Sequence, residues 1–563
     1  MRLSCDCRQI FRGSAGRDRP ARSSFNLGMV PPCPCSATRM NVLSRRPPQI
    51  IEIIALIALV CGLASAATSW WLRGSLWEDE IIAVSHGLQP LPSFFIEVLR
   101  NDIHPFLYFL FLKVWSSVAF GSDKWVLASS LAAAVISVAV LATIAYKVGG
   151  RVAAIWATTL FCVLPSFSWS ASNLRMYSLM PAIALGCWYV NRQALQYGGS
   201  RWLLAVILLQ IIESYTHAIG FFFAAFFALA ALIGQRHITT QQNFLHWVGA
   251  QALSLVFILP VVASALIRGT EPLGEPTLWS VLGYTAQVVS FLAPAPWVPI
   301  ASGVTIFTLI AFASLDKEAR VIALVIPCGA LLACTLAGLM GKAMFKAPVF
   351  TANLTPFLAL GAGLGIARCK AAQPFAAFCS LVLAVDLWSG QLDRHLAQNY
   401  QPAAHYVAEN VRSGDQVIIP SMSVFWGILR YGVAPNWGEP LAILPLTDNP
   451  QWTALKAKMG PRLVTLLGLK PLADHIDKDG IRYTIGTEIS SDISPCGRVW
   501  VVHRNNYERR GQETITFPHS MHRDSVVPFG DELTVSLMTA TACNTPPRRA
   551  TNETEQLSDR SPL

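Results

Sequence analysis

Trp77 is followed by three consecutive carboxylates, Glu78, Asp79 and Glu80, just beyond a long apolar run from Ile50 to Leu72. Acids at a lipid boundary are costly unless they meet water, a cation or a reacting group, so this cluster is a functional candidate. A carboxylate there can take a proton from a hydroxyl or hold a cation. Other chemistry-bearing residues recur beyond later apolar runs: Asp102 and His104, then Asn173, Arg175 and Tyr177, then Glu213, Tyr215 and His217, then Lys342 and Lys346. Most have a structural alternative. Asp79 can cap the segment that follows it or pair with Arg73, and Glu78 and Glu80 can be solvated. His104, before Pro105, can be a turn residue and His217 a hydrogen-bonded core histidine. Lys342 and Lys346 can snorkel to the interface. Arg175 is harder to assign to structure, because it lies between Ser/Trp-rich sequence and an apolar run where a lone charge is expensive.

The elements that must position these residues are helical spans. Of the 563 residues, 53% are apolar and 13% charged, against about 25% charged in a soluble domain. Runs near the roughly 20 apolar residues that a crossing helix needs recur between residues 50 and 390. The expected fold is an all-α polytopic membrane protein with about 11–13 transmembrane helices and a small C-terminal α/β extracytoplasmic domain. The spans are expected at 50–72, 125–146, 151–167, 176–191, 203–216, 218–234, 245–267, 298–314, 320–340, 349–367 and 371–388. Charged residues flank the short connections: Lys147 and Arg151, Arg192 and Arg201, Arg236 and His237, Lys317 and Arg320, Arg368 and Lys370. By the positive-inside bias these connections are cytoplasmic, as is the N-terminal end, where Arg45 and Arg46 precede the first span. The candidate residues then share the outer face. Cationic residues there run against the bias, and an anionic partner such as a lipid-linked phosphate would account for them. Two shorter segments, Pro105–Phe120 and Val281–Pro294, read as interfacial or re-entrant helices.

Residues 49–390 make up the expected membrane domain, with the first outer loop at 73–124. Charged residues return at 391–505, which reads as a small soluble domain holding an amphipathic helix at Ala403–Arg412 and buried strands at QVIIP (416–420) and VWVV (499–502). Arg462–Leu467 fits either type. Residues 506–563 are polar and Pro-containing and are expected to be disordered. Residues 1–48 read as a disordered leader or an overcalled start, and the C-x-C pairs Cys5/Cys7 and Cys33/Cys35 fall within them. The thirteen cysteines are scattered, which argues against a disulfide framework. The net charge of +10 comes mostly from loop arginine and lysine, with no basic stripe interleaved with aromatics, so no nucleic-acid partner is expected.

The series Trp77-Glu78-Asp79-Glu80, then Asp102-Ile103-His104-Pro105 followed by Leu107-Tyr108, then Arg175-Met176-Tyr177 resembles the GT-C superfamily of polyprenyl-phosphate-sugar-dependent glycosyltransferases. It is similar above all to the bacterial relatives of protein O-mannosyltransferases and of the lipid A aminoarabinose transferase. The D-x-H-P element resembles the D-x-H-P-P of the protein mannosyltransferases, with Phe106 in place of the second proline. The likeness is good over residues 50–235 and thin beyond. It implies that an acidic pair in the first outer loop, here Asp79 and Glu80, acts in catalysis. It also implies an Arg-Tyr pair before a proline in a late span, where this chain has Ala352 and Asn353 before Pro356. Lys346 or Lys342 then substitutes as the phosphate contact, the donor differs, or activity has been lost.

Transfer from a polyprenyl phosphate needs a base for the acceptor hydroxyl, stabilisation of an oxocarbenium-like sugar, and positive charge on the leaving phosphate. Asp79 is the expected base, with inversion if it faces the sugar opposite the leaving group. Asp102 or Glu80 would orient the acceptor or a cation, and Glu78 would join the substrate-binding set. Arg175, Lys342 and Lys346 would neutralise the phosphate, and His104, Tyr177 and His217 would contact sugar or phosphate. Neighbouring acids on a helix point about 100° apart and do not converge on one ion, so the expectation is a metal-independent site or a weakly held Mg or Mn. Expected partners are a polyprenyl-phosphate-linked sugar donor, membrane lipids and a lipid, glycan or protein acceptor at the plasma membrane. A transporter or flippase of lipid-linked sugars and a catalytically inactive relative are the competing readings.

Overall fold

The computed structural model describes residues 50–88, 91, 94–95, 98, 104–118, 122–217, 219–268, 271–272, 277–289, 298–340, 342–343, 347–389, 399–412, 415–419, 422–431, 441–442, 475–478, 481–485, 498–504, 521–530 and 533–540. Asp102, Lys346, the leader and Arg462–Leu467 lie outside them.

Each expected span corresponds to a helix or to one arm of a helix. The first is α1 (Ile50–Leu72), followed by the short α2 (Glu78–Leu88) and α3 (Leu107–Ser116). Next come α4 (Asp123–Cys162), α5 (Pro165–Ser172), α6 (Met180–Tyr197), α7 (Ser200–Thr216), α8 (Gly220–Gln235) and α9 (Gln241–Arg268). The bundle is completed by α10 (Leu278–Val289), α11 (Val298–Ala313), α12 (Lys317–Leu339), α13 (Ala347–Arg368) and α14 (Gln373–Ser389). Among the described residues, six helices are long and apolar enough to cross a membrane. At 10 and 12 residues, α3 and α10 reach about 15–18 Å, short of the roughly 30 Å hydrocarbon core, as interfacial or re-entrant segments would be.

Helix α4 changes direction at Gly150, whose φ of 80° is in the region that favours glycine. Contacts along α1 give the direction of each arm. Lys124 meets the carbonyls of Trp70, Trp71 and Arg73 at the far end of α1, whereas Arg151 lies 3.4 Å from Glu52 at its start. The chain then climbs α1 again, with the Thr159 hydroxyl donating to Ala55 O and Ser168 bonded to Ser69. The expected spans 125–146 and 151–167 are thus two arms joined at Gly150.

Ion pairs gather the basic connections at one end of the bundle. Arg151 meets Glu52, Arg192 meets Glu318 at 2.7 Å, Gln235 also donates to Glu318, and Arg368 meets Asp316 at 3.3 Å. The charge pattern that marked these connections as sharing a side therefore agrees with their contacts. The centre is α13, buried along its whole apolar length and packed on α4, as expected of a helix that is apolar all round. At Gly363 a Cβ would stand 2.6 Å from the Ala157 backbone nitrogen, so only glycine permits this approach. Outward-facing Leu255, Phe257, Phe307, Phe378 and Val385 are exposed, as lipid-facing side chains would be.

The C-terminal region holds helices α15 (Tyr400–Asn410) and α16 (Met422–Tyr431) against a seven-stranded sheet. A separate pair, β1 (Glu271–Pro272) with β2 (Lys342–Ala343), joins two connections of the bundle. The larger sheet comprises β3 (Gln416–Ile418), β4 (Leu441–Ala442), β5 (His475–Lys478), β6 (Ile481–Ile485), β7 (Arg498–Arg504), β8 (Met521–Pro528) and β9 (Leu533–Ala540). Its order is β5-β6-β4-β3-β7-β9-β8, parallel among β6, β4, β3 and β7 and antiparallel at both ends. The expected strands at 416–420 and 499–502 are β3 and β7. The expected disorder from residue 506 is corrected, because β8 and β9 extend the sheet beyond it. β9 is buried through Leu533–Ser536 beside β7, whereas β8 is an edge strand with one exposed face, which gives it a polar sequence.

Candidate active site

The loop between α1 and α2 is built around Glu80. Helix α2 begins at Glu78, which makes Glu80 its third residue, and its Oε2 accepts from the Trp77 N–H at 3.0 Å, one half of a capping box. Acids in this first turn also suit the helix dipole. The same Oε2 accepts from Arg73 Nη2 at 2.5 Å, and Oε1 accepts from the Leu174 N–H at 2.6 Å. Arg73 continues to the Ser172 carbonyl and to Asn173 Oδ1 at 3.2 Å. One buried ion pair therefore ties the end of α1, the start of α2 and the chain after α5.

Two sequence expectations change here. Arg73 pairs with Glu80, not Asp79, because the first turn of α2 points Glu80 inward. Glu80, expected in the catalytic set, is fully buried with both oxygens occupied and braces the loop. Burial pushes its carboxyl above the ordinary glutamate range, against the opposing pull of Arg73 and the Leu174 and Trp77 N–H groups. A carboxyl whose folded pKa is raised contributes stability that is complete below its unfolded value and lost as pH rises through the folded one. Glu80→Gln removes that slope. Thermal unfolding of the purified protein at pH 4.5 and pH 8 is expected to shift in favour of the variant, relative to wild type, at the higher pH. A shift in the opposite direction would contradict the raised value.

Asp79, one residue earlier on the helix, turns out toward solvent, and its side chain is 41% exposed. Arg175, only 7% exposed, faces it: Nη1 donates to Asp79 O at 3.1 Å, and Nη2 lies 3.6 Å from Asp79 Oδ2. Arg175 is placed by extended backbone (φ −140°, ψ 164°) between α5 and a short 3-10 turn at Met176–Ser178. Its Nη2 also donates to His104 Nε2 at 3.2 Å, so a neutral His104 carries its hydrogen on Nδ1. The His104 ring lies 4.7 Å from that of His217, the C-cap of α7. His217 Nδ1 accepts from the Ile219 N–H at 3.2 Å, leaving Nε2 as the donor of the neutral ring. Tyr177 lies 6.3 Å from His217 and stacks on Trp169 at 5.7 Å.

Five expected site residues therefore converge: Asp79, His104, Arg175, Tyr177 and His217. Beside Tyr177 is a cleft lined in part by Ser137, Ser166, Ser170, Ser178 and Thr355. Ala352 lines it too, so the position where the family resemblance implies an arginine faces this cleft and carries a methyl group. Asn353 is buried and donates to Val349 O at 3.1 Å within α13. Glu78 opens α2 and Lys342 is in β2, but the side chains of both lie outside the described residues, as do Asp102 and Lys346. Among the described residues no group of three or more His, Cys, Asp or Glu could hold a metal ion.

Sequence reasoning missed Lys124, Asp123 and Tyr431. Lys124 Nζ donates to the Arg73 carbonyl at 2.5 Å, and Tyr431 contacts the loop from more than 300 residues away. A lysine and an aspartate at the start of a span signal an interface in the sequence. Nothing local signals the tyrosine.

No protein-family model matches the chain, and no curated protein does. Among solved structures, the chain is similar to ArnT from Cupriavidus metallidurans bound to undecaprenyl phosphate, with 13% identity and a TM-score of 0.46, covering 86% of this chain and 97% of that one. It is also similar to the archaeal oligosaccharyltransferase AglB from Archaeoglobus fulgidus in complex with an inhibitory peptide and a dolichol-phosphate, with 11% identity and a TM-score of 0.41, covering 81% and 70%. A structure of the Archaeoglobus fulgidus oligosaccharyltransferase with Zn and sulfate gives 12% identity and 0.42, covering 81% and 68%. At such low identity the chemistry has to be read from the residues of the site.

Proposed function

We propose that this chain is an integral-membrane glycosyltransferase that moves a sugar from a polyprenyl phosphate donor to a lipid, polysaccharide or protein acceptor on the outer face of the plasma membrane, with inversion. The observation that carries this reading is one exposed carboxylate, Asp79, facing one buried cation, Arg175, in a setting of His104, His217 and Tyr177. Asp79 takes the proton of the acceptor hydroxyl as its oxygen bonds to the anomeric carbon. The bond from that carbon to the phosphate oxygen breaks, and its electron pair leaves with the polyprenyl phosphate. Arg175 stabilises the charge that develops there. Its 3.6 Å spacing from Asp79 is looser than a hydrogen-bonded ion pair, so the guanidinium can serve both groups. His217 stands beside His104 next to this pair, and the Trp169–Tyr177 stack offers apolar faces to a sugar ring. Asp102 joins Asp79 in the proposed catalytic set, and Glu78, Lys342 and Lys346 complete the proposed substrate-binding set.

The test is transfer from a panel of radiolabelled polyprenyl phosphate sugars by membranes containing the wild-type protein. Transfer from at least one donor is the expected result, and it is expected to survive EDTA treatment. Loss on EDTA with recovery on Mg or Mn would assign a cation to the site. No transfer from any donor would overturn the enzyme reading. That outcome would favour an inactive relative, the reading that the methyl group of Ala352 in the cleft supports.

A further inference from the structure

Tyr431 ends α16 of the C-terminal domain, yet its hydroxyl contacts two segments of the membrane domain. It donates to Asp123 Oδ2 at 2.5 Å and accepts from the Leu76 N–H at 2.9 Å. Arg430 donates to the other oxygen of Asp123, which is the first residue of α4. Ser75 donates to Asn399 Oδ1 at 3.0 Å, and Asn399 N–H donates to Phe529 O at 3.1 Å, a second link from the loop to the domain. Helix α16 also packs directly on α2. The loop that leads to Asp79 is therefore held on two sides: by Lys124 on the carbonyls that end α1, and by the C-terminal domain on Ser75 and Leu76. Burial, reinforced by the Asp123 carboxylate, raises the Tyr431 phenol above its ordinary range, so it keeps its proton and remains a donor.

We propose that the C-terminal domain sets the geometry of the active-site loop, and that Tyr431 is the positioning residue through which it acts, fixing Leu76 and hence Asp79 three residues later. This rests on the reading of Asp79 as the base. A fixed base is worth much in catalysis because small misplacements of a reacting group cost large factors in rate. The hydroxyl of Tyr431 is both donor and acceptor, so phenylalanine breaks both bonds while keeping the ring.

The experiment uses the full chain in membranes or nanodiscs and compares wild type with Tyr431→Phe, Asp123→Asn and the double variant. Tyr431→Phe is expected to lower kcat about tenfold with donor KM within about twofold. The double variant should be no worse than the poorer single one, because both residues serve one contact. Trp500→Phe is the stability control: it removes a hydrogen bond of 2.9 Å from Trp500 to Asp415 inside the same domain, away from the loop, and should leave kcat unchanged. Amide hydrogen exchange at residues 74–80 gives a readout independent of turnover, and Tyr431→Phe should speed it where Trp500→Phe does not. Faster exchange without any sugar transfer by the wild type would support the positioning and overturn the base reading. Unchanged exchange in Tyr431→Phe, or a kcat loss matched by Trp500→Phe, would overturn the proposal.

Discussion

Replacing Asp79 with asparagine should reduce sugar transfer by about 10²–10⁴-fold, the range expected when a general base is removed. The amide has nearly the same shape, and its oxygen can still face Arg175, but it cannot accept the acceptor's proton. Because the Asp79 side chain is 41% exposed and stands 3.6 Å from the Arg175 guanidinium, the substitution should change stability by no more than about 0.5 kcal/mol. Full expression, unchanged elution from size-exclusion chromatography and an unchanged Tm would separate chemistry from folding. Glu80→Gln, one residue away, provides the contrast: its losses should appear in stability, because its oxygens bind Arg73, Trp77 and Leu174. Wild-type rates in Asp79→Asn would remove Asp79 as the base.

The second large effect is expected at Arg175. Its guanidinium reaches the Asp79 carbonyl, the Asp79 carboxylate and His104 at once, a task for a planar fork that a lysine ammonium does not reproduce. Arg175→Ala should cost about 10²–10³-fold in kcat, as removal of a preorganised charge-stabilising group does elsewhere. Arg175→Lys should recover only part of that loss. Because Arg175 is buried beside Asp79, Arg175→Ala should also lower the Tm, whereas Asp79→Asn should not. The double variant Asp79→Asn/Arg175→Ala should lose less than the product of the single losses, since the two groups act on one event. Strictly multiplicative losses would mean that the two residues work independently.

Glu80 and Asp79 mark where sequence reading reaches its limit. Both were legible as acids at a helix start beyond a membrane span, and the W-E-D-E pattern already contains a capping glutamate. Which acid faces the site depends on about 100° of helix rotation per residue and on where Arg73 and the Leu174 N–H stand. That choice is made by packing. The same holds for the sheet: β7 was legible because VWVV is apolar throughout, while β9 was hidden by the polar stretch before it and became a strand through pairing with β7.

The sequence alone determined the low charge, the repeated apolar helices, the side on which basic connections gather, and the recurrence of Asp79, His104, Arg175, Tyr177 and His217 beyond them. These follow from local properties, because water and lipid sort side chains by polarity and a helix needs only its own backbone to satisfy its hydrogen bonds. The tertiary structure alone decided that Glu80 turns inward, that Ala352 faces the cleft, and that a tyrosine more than 300 residues away grips the loop before Asp79. Those outcomes depend on contacts between distant segments, where direction and a few tenths of an ångström matter, and neither is encoded in composition or spacing.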